Sequence, residues 1–372
     1  GFGQFTWFKN RGNHDLLLGA TYRYTWYDDN TSATARYDSL GTMFNSPSVI
    51  QLPGVFVQDE LAINERNKLL VGLRYDYNSL HGSVLTPRIN YKLVSKNKKN
   101  TLRVGIGNGY RVANVFTEDH AALTGARQVM FTDELKPEKS WNGNINFVKK
   151  IYLKGGTSIG FDGTVFYTYF NNRIIPDYIT DPNKIIYGNL DGHAVSRGIG
   201  INADIIFMNG LKILAGGTLM DVNFTENGIT QRQLLTERFQ GVWSVGYNFS
   251  SLRLNIDYTG NVYSPMLLPL LGPLDNRAGE SPWWSLQNIQ VTKLFGQQWE
   301  VYGGIKNLLN YTPPANSIAR PFDPFDKNVV FDQHGQVVAT PDNPNALTFD
   351  PTYMFAPNQG IRGYAGIRFT LR

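Results

Sequence analysis

The chain ends in Tyr364-Ala365-Gly366-Ile367-Arg368-Phe369-Thr370-Leu371-Arg372. Apolar or small residues stand at every second position of this stretch, and polar ones lie between them: Gly363, Ala365, Ile367, Phe369 and Leu371 against Arg362, Tyr364, Arg368, Thr370 and Arg372. A two-residue period predicts a β-strand with unlike faces. Because the polar face carries three arginines and the strand ends in aromatic and apolar residues, the pattern is typical of the last strand of a transmembrane β-barrel.

The composition excludes a helical membrane protein. The 372 residues are 42% hydrophobic, 13% aromatic and 17% charged, but no segment approaches the ~20 apolar residues that a membrane helix needs. The longest candidate, residues 266–274, is interrupted by Pro269 and Pro273. Abundant aromatic residues suit a wall of strands with aromatic girdles at the lipid–water boundary. A large soluble all-β protein is the alternative.

The charged residues and histidines point to neither nucleic acid nor catalysis. The net charge of +5 is spread over the chain rather than gathered into a stripe, so no nucleic-acid partner is predicted. Cysteine is absent, which excludes a disulfide framework and a thiolate metal site. The histidines lack the spacing of a hydrolytic metal site: His14, His81, His120, His193 and His334. We predict no enzyme, no cofactor and no metal.

Two-residue alternation recurs along the whole chain. Clear examples are residues 16–26, 69–77, 159–169, 239–247 and 252–259. Counting all such segments gives roughly fifteen strands, each near the ~9–11 residues that cross a bilayer. The predicted fold is therefore an all-β, antiparallel transmembrane barrel.

The links between strands alternate in length. Short links are predicted at residues 10–13, 64–67, 95–99, 154–156, 208–210, 250–251 and 296–297; longer ones at 28–52, 79–84, 111–139, 171–194, 225–237, 263–282 and 308–358. Outer-membrane barrels have short periplasmic turns and long extracellular loops. An odd number of strands, with residue 1 outside and the C-terminus in the periplasm, is not a complete barrel of even count. We expect residues 1–372 to be the C-terminal part of a barrel domain.

Several motifs occur in a fixed order. They are Val55-Phe56-Val57-Gln58-Asp59-Glu60, Val71-Gly72-Leu73-Arg74-Tyr75-Asp76, Pro87-Arg88-Ile89-Asn90, Gly107-Asn108-Gly109-Tyr110-Arg111-Val112-Ala113, Asp133-Glu134-Leu135-Lys136-Pro137-Glu138-Lys139-Ser140 and Ile305-Lys306-Asn307-Leu308-Leu309-Asn310. In this order they resemble the strand motifs and boxes of the TonB-dependent outer-membrane receptors. The motifs at residues 107–113 and 133–140, which resemble two conserved boxes of that family, depart from its usual pattern. They have Val112-Ala113 in place of Ala-Pro and Asp133-Glu134 in place of Asn-Pro.

The resemblance implies a 22-stranded barrel around an N-terminal plug. This chain would supply the last fifteen strands, without the plug domain. The implied function is active import of a large, scarce nutrient of the ferric siderophore, cobalamin or haem type across the outer membrane of a Gram-negative bacterium. The implied partners are the TonB-ExbB-ExbD system, outer-membrane lipid, the small-molecule chelate and, as a further candidate, a surface lipoprotein. A passive porin-like channel and a surface ligand-binding barrel are the alternatives.

Candidate ligand-binding residues fall in or beside the long links. Guanidinium groups bind anionic chelates and aromatic rings stack on flat groups. The candidates are Tyr110, Arg111, Arg127, Arg173, Tyr187, Arg197, Arg320 and Tyr353. For Trp283 and Trp284, which also lie near this rim, girdle anchoring is the favoured interpretation.

Two further predictions concern the long links. Haem importers of the resembled family place an axial histidine between the two boxes, so His120 is a ligand candidate if the cargo is haem; an ordinary loop residue is the alternative. Residues 308–358 carry eight prolines and are predicted to form a lid over the outer mouth.

Overall fold

The computed structural model describes residues 1–28, 35–37, 40, 42–112, 128–132, 135–181, 184–270, 277–314, 329–333, 337–344, 346 and 353–371. Its secondary structure is nearly all strand. The bounds are β1 Phe2–Arg11, β2 His14–Tyr27, β3 Ala35–Tyr37, β4 Met43–Asn45, β5 Ser48–Asn64, β6 Asn67–Asn78, β7 Gly82–Val94, β8 Asn100–Arg111, β9 Gln128–Phe131, β10 Glu138–Tyr152, β11 Ser158–Asn172, β12 Ile174–Asp177, β13 Lys184–Asn189, β14 Gly192–Ile206, β15 Leu211–Glu226, β16 Ile229–Arg232, β17 Phe239–Phe249, β18 Leu254–Tyr263, β19 Trp284–Phe295, β20 Trp299–Lys306, β21 Val330–Phe331, β22 Val337–Val338 and β23 Arg362–Phe369.

One antiparallel sheet dominates the molecule. Its path is β1-β2-β5-β6-β7-β8-β10-β11-β14-β15-β17-β18-β19-β20-β23, with β16 attached to β15. The path confirms the predicted fold class and the predicted strand number. Each strand pairs with the next long strand along the chain, as in an up-and-down barrel wall.

All seven predicted short links are confirmed as short connections at one end of the sheet, which we call the short-turn end; the one after β17 is a 3-10 turn, Ser250–Leu252. For example, β7 ends at Val94 and β8 begins at Asn100. The opposite end, the long-link end, differs from prediction at two places. The segment 79–84 shrinks to a turn between Asn78 and Gly82, and β5 begins at Ser48, inside the predicted link 28–52, because β2 continues to Tyr27 and offers it hydrogen bonds.

The long links carry structure of their own. Strands β12 and β13 pair antiparallel, and β13 also pairs with β9 in parallel, so two different links build one three-stranded unit. We call this unit the loop sheet. In the last long link β21 pairs with β22, but most of the predicted lid lies outside the described residues.

The two faces of the main sheet differ in chemistry, as the alternation predicts. In β5, Val55 and Val57 are exposed on the outer face, while Gln58 on the inner face accepts a hydrogen bond from Arg88. The inner face is joined by polar side chains: Asn146 Nδ2 donates to Asp162 Oδ1 at 2.7 Å and to Thr164 Oγ1 at 2.9 Å. Hydrocarbon suits the first face and water the second.

Within the described residues, no helix is long and apolar enough to cross a membrane.

Candidate ligand site at the long-link end

A buried carboxylate anchors two arginines where β8, β10 and β11 reach the long-link end. Glu138 opens β10 directly opposite Arg111, the last residue of β8. Arg111 Nε donates to Glu138 Oε2 at 2.7 Å, and the Ile174 N–H donates to Oε1 at 3.0 Å. The Glu138 side chain is 7% exposed but that of Arg111 is 57% exposed. The guanidinium therefore reaches from a buried anion to solvent.

Arg173 belongs to the same group, which we call the Glu138 cluster. Burial lowers the pKa of Arg173, the charge of Glu138 opposes this shift, and the charge of Arg111 adds to it. Its guanidinium carbon also lies 5.3 Å from the ring centroid of Phe170, within cation–π range. Arg111 thus bonds to the buried carboxylate, and Arg173 lies within the electric field of both groups.

A second buried carboxylate, Asp76, lies near the long-link end of β6. Arg74 binds it in bidentate fashion, with Nε to Oδ2 at 2.7 Å and Nη2 to Oδ1 at 2.6 Å, and Arg74 Nη2 also donates to Thr21 Oγ1 at 2.9 Å. The hydroxyl of Tyr110 interacts with the same carboxylate. Gly54 is required here, because a Cβ at that position would lie 2.0 Å from Asp76 Oδ1. Tyr110 and Arg111 therefore lie in separate charged clusters although they are adjacent in sequence.

Tyr187 lies in a buried position and not on an open rim; its part in ligand binding stays a prediction. It is 3% exposed and packs with Tyr178 and Ile185 in the core of the loop sheet. Phe131 of β9 lies 6.0 Å from its ring centroid. The position differs from the open rim expected from sequence because the link folds into a small sheet, and that sheet needs an apolar core of its own.

Tyr353 is also buried. The Arg277 guanidinium carbon lies 3.9 Å from its ring centroid, and its hydroxyl donates a hydrogen bond to the Ala278 carbonyl. It packs in an aromatic cluster with Met266, Leu268 and Trp284. Tyr353 thus also lies away from an open rim, since links far apart in sequence converge on it, and its part in ligand binding stays a prediction.

The two neighbouring tryptophans have different surroundings. Trp284 is buried and stacks on Tyr263 with a centroid distance of 4.2 Å, so girdle anchoring is wrong for this residue. Trp283 is exposed and lies 6.1 Å from Phe239, which agrees with an interfacial position. Strand alternation turns adjacent side chains to opposite faces.

Leu234 and Leu235 connect the two apolar cores. Leu234 packs against the core of the loop sheet, and Leu235 packs against the aromatic cluster. Leu235 has a φ of 52°, in the left-handed region that a leucine rarely adopts. Packing on both sides holds the backbone in this conformation.

Arg197 forms an exposed pair with Asp221 of the neighbouring strand β15. Its Nη2 donates to Asp221 Oδ2 at 3.0 Å, and Asn223 donates to the same oxygen at 2.8 Å. The structure thus brings Arg111 and Arg173 together and leaves Arg197 in its own pair. Three further predicted residues, His120, Arg127 and Arg320, lie outside the described residues.

Sequence reasoning missed the acidic partners. Glu138, Asp76 and Asp221 were not among the predicted site residues. Glu138 and Asp221 lie opposite Arg111 and Arg197 on neighbouring strands, and Asp76 lies two residues after Arg74 on the same strand. Among the described residues no group of three or more His, Cys, Asp or Glu could hold a metal ion.

Comparison with known proteins identifies the class of this barrel. The model of the family described as "TonB dependent receptor-like, beta-barrel" matches residues 2–308. The chain belongs to this family and is an outer-membrane β-barrel. The iron-regulated outer membrane virulence protein of Vibrio cholerae is 26% identical over 165 residues, which are 44% of this chain and 24% of that protein.

Solved structures share the fold. A mutant ferric enterobactin receptor from Pseudomonas aeruginosa in complex with enterobactin aligns with a TM-score of 0.66 and 16% identity, over 99% of this chain and 53% of that chain. The siderophore receptor PirA from Acinetobacter baumannii aligns with a TM-score of 0.66 and 14% identity, over 99% of this chain and 54% of that chain. The copper transporter OprC aligns with a TM-score of 0.60 and 13% identity, over 84% of this chain and 51% of that chain. This chain therefore spans about half the length of these solved relatives and aligns with about a quarter of the curated one.

Proposed function

We propose that this protein takes part in TonB-dependent active import of a ferric siderophore across the outer membrane, energised by the TonB-ExbB-ExbD system. Membership of the receptor family supports import in general. The siderophore class is supported by a relative named as iron-regulated and by structural relatives named as siderophore and ferric enterobactin receptors. Cobalamin and haem are the other cargo classes to be tested.

The Glu138 cluster is the observation that carries this proposal. Arg111 bonds to the buried carboxylate of Glu138 and is itself 57% exposed, and Arg173 lies within reach of the same charges. Guanidinium groups form bidentate hydrogen bonds to carboxylates and are good partners for flat, anionic chelating groups. Because the carboxylate is buried and bonded, the Arg111 fork is held in place before ligand arrives, which lowers the entropic cost of binding.

A direct test measures binding and uptake of ferric siderophores, cobalamin and haem by cells that produce the protein in its complete natural form. We expect a ferric siderophore to bind and to accumulate only while the inner membrane is energised. Arg111→Gln should weaken binding by roughly ten-fold, the scale of one charge-assisted hydrogen bond. Arg368→Gln is the matched control, because Arg368 is also exposed and paired with a glutamate, but at the short-turn end.

Three outcomes would contradict the proposal. Ion conductance without an energised membrane would favour a passive channel, and ligand binding without accumulation would favour a surface-binding barrel. Equal loss of binding in Arg111→Gln and Arg368→Gln would remove the Glu138 cluster from the ligand site.

A further inference from the structure

Two adjacent hairpins at the short-turn end carry six lysines, which we call the basic patch. Lys96, Lys98 and Lys99 lie in or beside the turn between β7 and β8, and Lys149, Lys150 and Lys154 lie around the turn between β10 and β11. All six are exposed, and within the described part of the chain none forms an ion pair. Residues 92–104 and 147–161 contain no Asp or Glu.

Backbone pairing makes these six lysines one surface. Strand β8 pairs with β10, so that Asn100 lies opposite Lys149, and the Lys150 N–H donates to the Lys99 carbonyl at 2.8 Å. The Lys99 ammonium also lies 5.9 Å from the ring centroid of Tyr152. Residues some fifty positions apart in sequence thus form a continuous, strongly positive area.

The patch begins where the lipid-facing wall ends. On the outer face of β10, Ile145 and Phe147 are exposed, and Lys149 is the next residue on that face. Tyr152 and Leu153, just beyond it, are also exposed. This order on the outer face, apolar side chains followed by a lysine at the end of the strand, is what the boundary between hydrocarbon and headgroups requires.

We propose that the basic patch binds anionic phospholipid headgroups in the membrane leaflet at the short-turn end. In outer-membrane barrels the short turns face the periplasm, so this is the periplasmic leaflet. Clusters of Lys and Arg directly beside a membrane span attract anionic lipid, each cation adding to the attraction within a Debye length of about 10 Å. Headgroups surround a barrel at this level, whereas an acidic protein partner would have to be recruited there.

The test compares two triple variants with a matched control. Lys96→Gln/Lys98→Gln/Lys99→Gln and Lys149→Gln/Lys150→Gln/Lys154→Gln each remove three charges from the patch. Lys212→Gln/Arg253→Gln/Lys293→Gln removes three charges at the same end of the sheet, from β15, the turn before β18, and β19. Each full-length protein is reconstituted in phosphatidylcholine vesicles, and its preference for spin-labelled phosphatidylglycerol over spin-labelled phosphatidylcholine is measured.

We expect wild type to favour phosphatidylglycerol by roughly five-fold at low salt, each patch variant to lose at least half of that preference, and the control to keep most of it. High salt should abolish the preference in wild type. Unchanged strand circular dichroism establishes that the variants are folded. No preference in wild type, a loss as large in the control, or a lipid preference retained in both patch variants would each overturn the proposal.

Discussion

The Asp76 and Glu138 clusters and the basic patch, at opposite ends of the sheet, treat positive charge in opposite ways. At the long-link end Arg74, Arg111 and Arg197 each bond to a carboxylate, and two of those carboxylates, Asp76 and Glu138, are buried. At the short-turn end the six lysines of the basic patch have no such partner in the described residues. Paired guanidiniums hold a fixed geometry, whereas unpaired ammonium groups provide a diffuse field. The first arrangement suits recognition of a shaped ligand and the second suits a fluid anionic surface.

The largest expected effect that tests this contrast is that of Glu138→Gln. Removing the buried charge weakens the hydrogen bonds from Arg111 and from the Ile174 N–H, which costs about 1.5–3 kcal/mol because the acceptor is buried and the Arg111 side chain is half exposed. Denaturant unfolding in detergent should show this loss. The control is Glu300→Gln, the same change in the exposed Arg368 pair at the short-turn end, expected to cost under about 1 kcal/mol. Equal costs would mean that the two ends do not differ in how they hold charge.

An intermediate effect is expected from acid on the loop sheet. Burial raises the pKa of Asp177, but hydrogen bonds from the Thr180 side chain and from the Thr180 and Ile179 N–H groups outweigh it and lower the pKa overall. Because the pKa is lower in the folded state, the ionised carboxylate stabilises that state fully at any pH above the ordinary pKa of 3.8. This stability is lost as pH falls below 3.8 towards the lowered pKa. The protection of the β12 and β13 amides, measured as their exchange rate relative to that of an unfolded chain at the same pH, should therefore fall below that pH.

Asp177→Asn is the control for acid sensitivity of the loop sheet. The amide cannot lose a charge, so exchange in β12 and β13 should depend less on pH in this variant than in wild type. The same pH dependence in both proteins would show that Asp177 does not stabilise the loop sheet.

The smallest expected effect is that of Lys98→Gln on stability. Lys98 is exposed and makes no ion pair within the described residues, so the free energy of unfolding should change by less than about 0.5 kcal/mol. Thermal unfolding in detergent measures this. A loss above about 1 kcal/mol would show that the basic patch contributes to folding rather than only to surface charge.

Much of the candidate site could be located from sequence, but not its internal arrangement. Arg111 and Arg173 were predicted as rim residues because they stand at the ends of alternating segments, and the structure brings them together around Glu138. Tyr187 and Tyr353 were predicted for the same reason, yet both are buried. Whether a loop aromatic residue faces ligand or a small core depends on which other links pack against it, and local pattern does not contain that information.

The sequence by itself determined the wall: fifteen strands, their unlike faces, and short turns alternating with long links. These features are local, since alternation has a period of two and tight turns need particular residues at adjacent positions. Only the tertiary structure decided which charges meet. Arg111 and Ile174 reach Glu138 from 27 and 36 residues away, and Tyr353 reaches Ala278 across 75. Such contacts depend on strand register and on how separate links pack, both of which are set by the whole sheet rather than by any one segment.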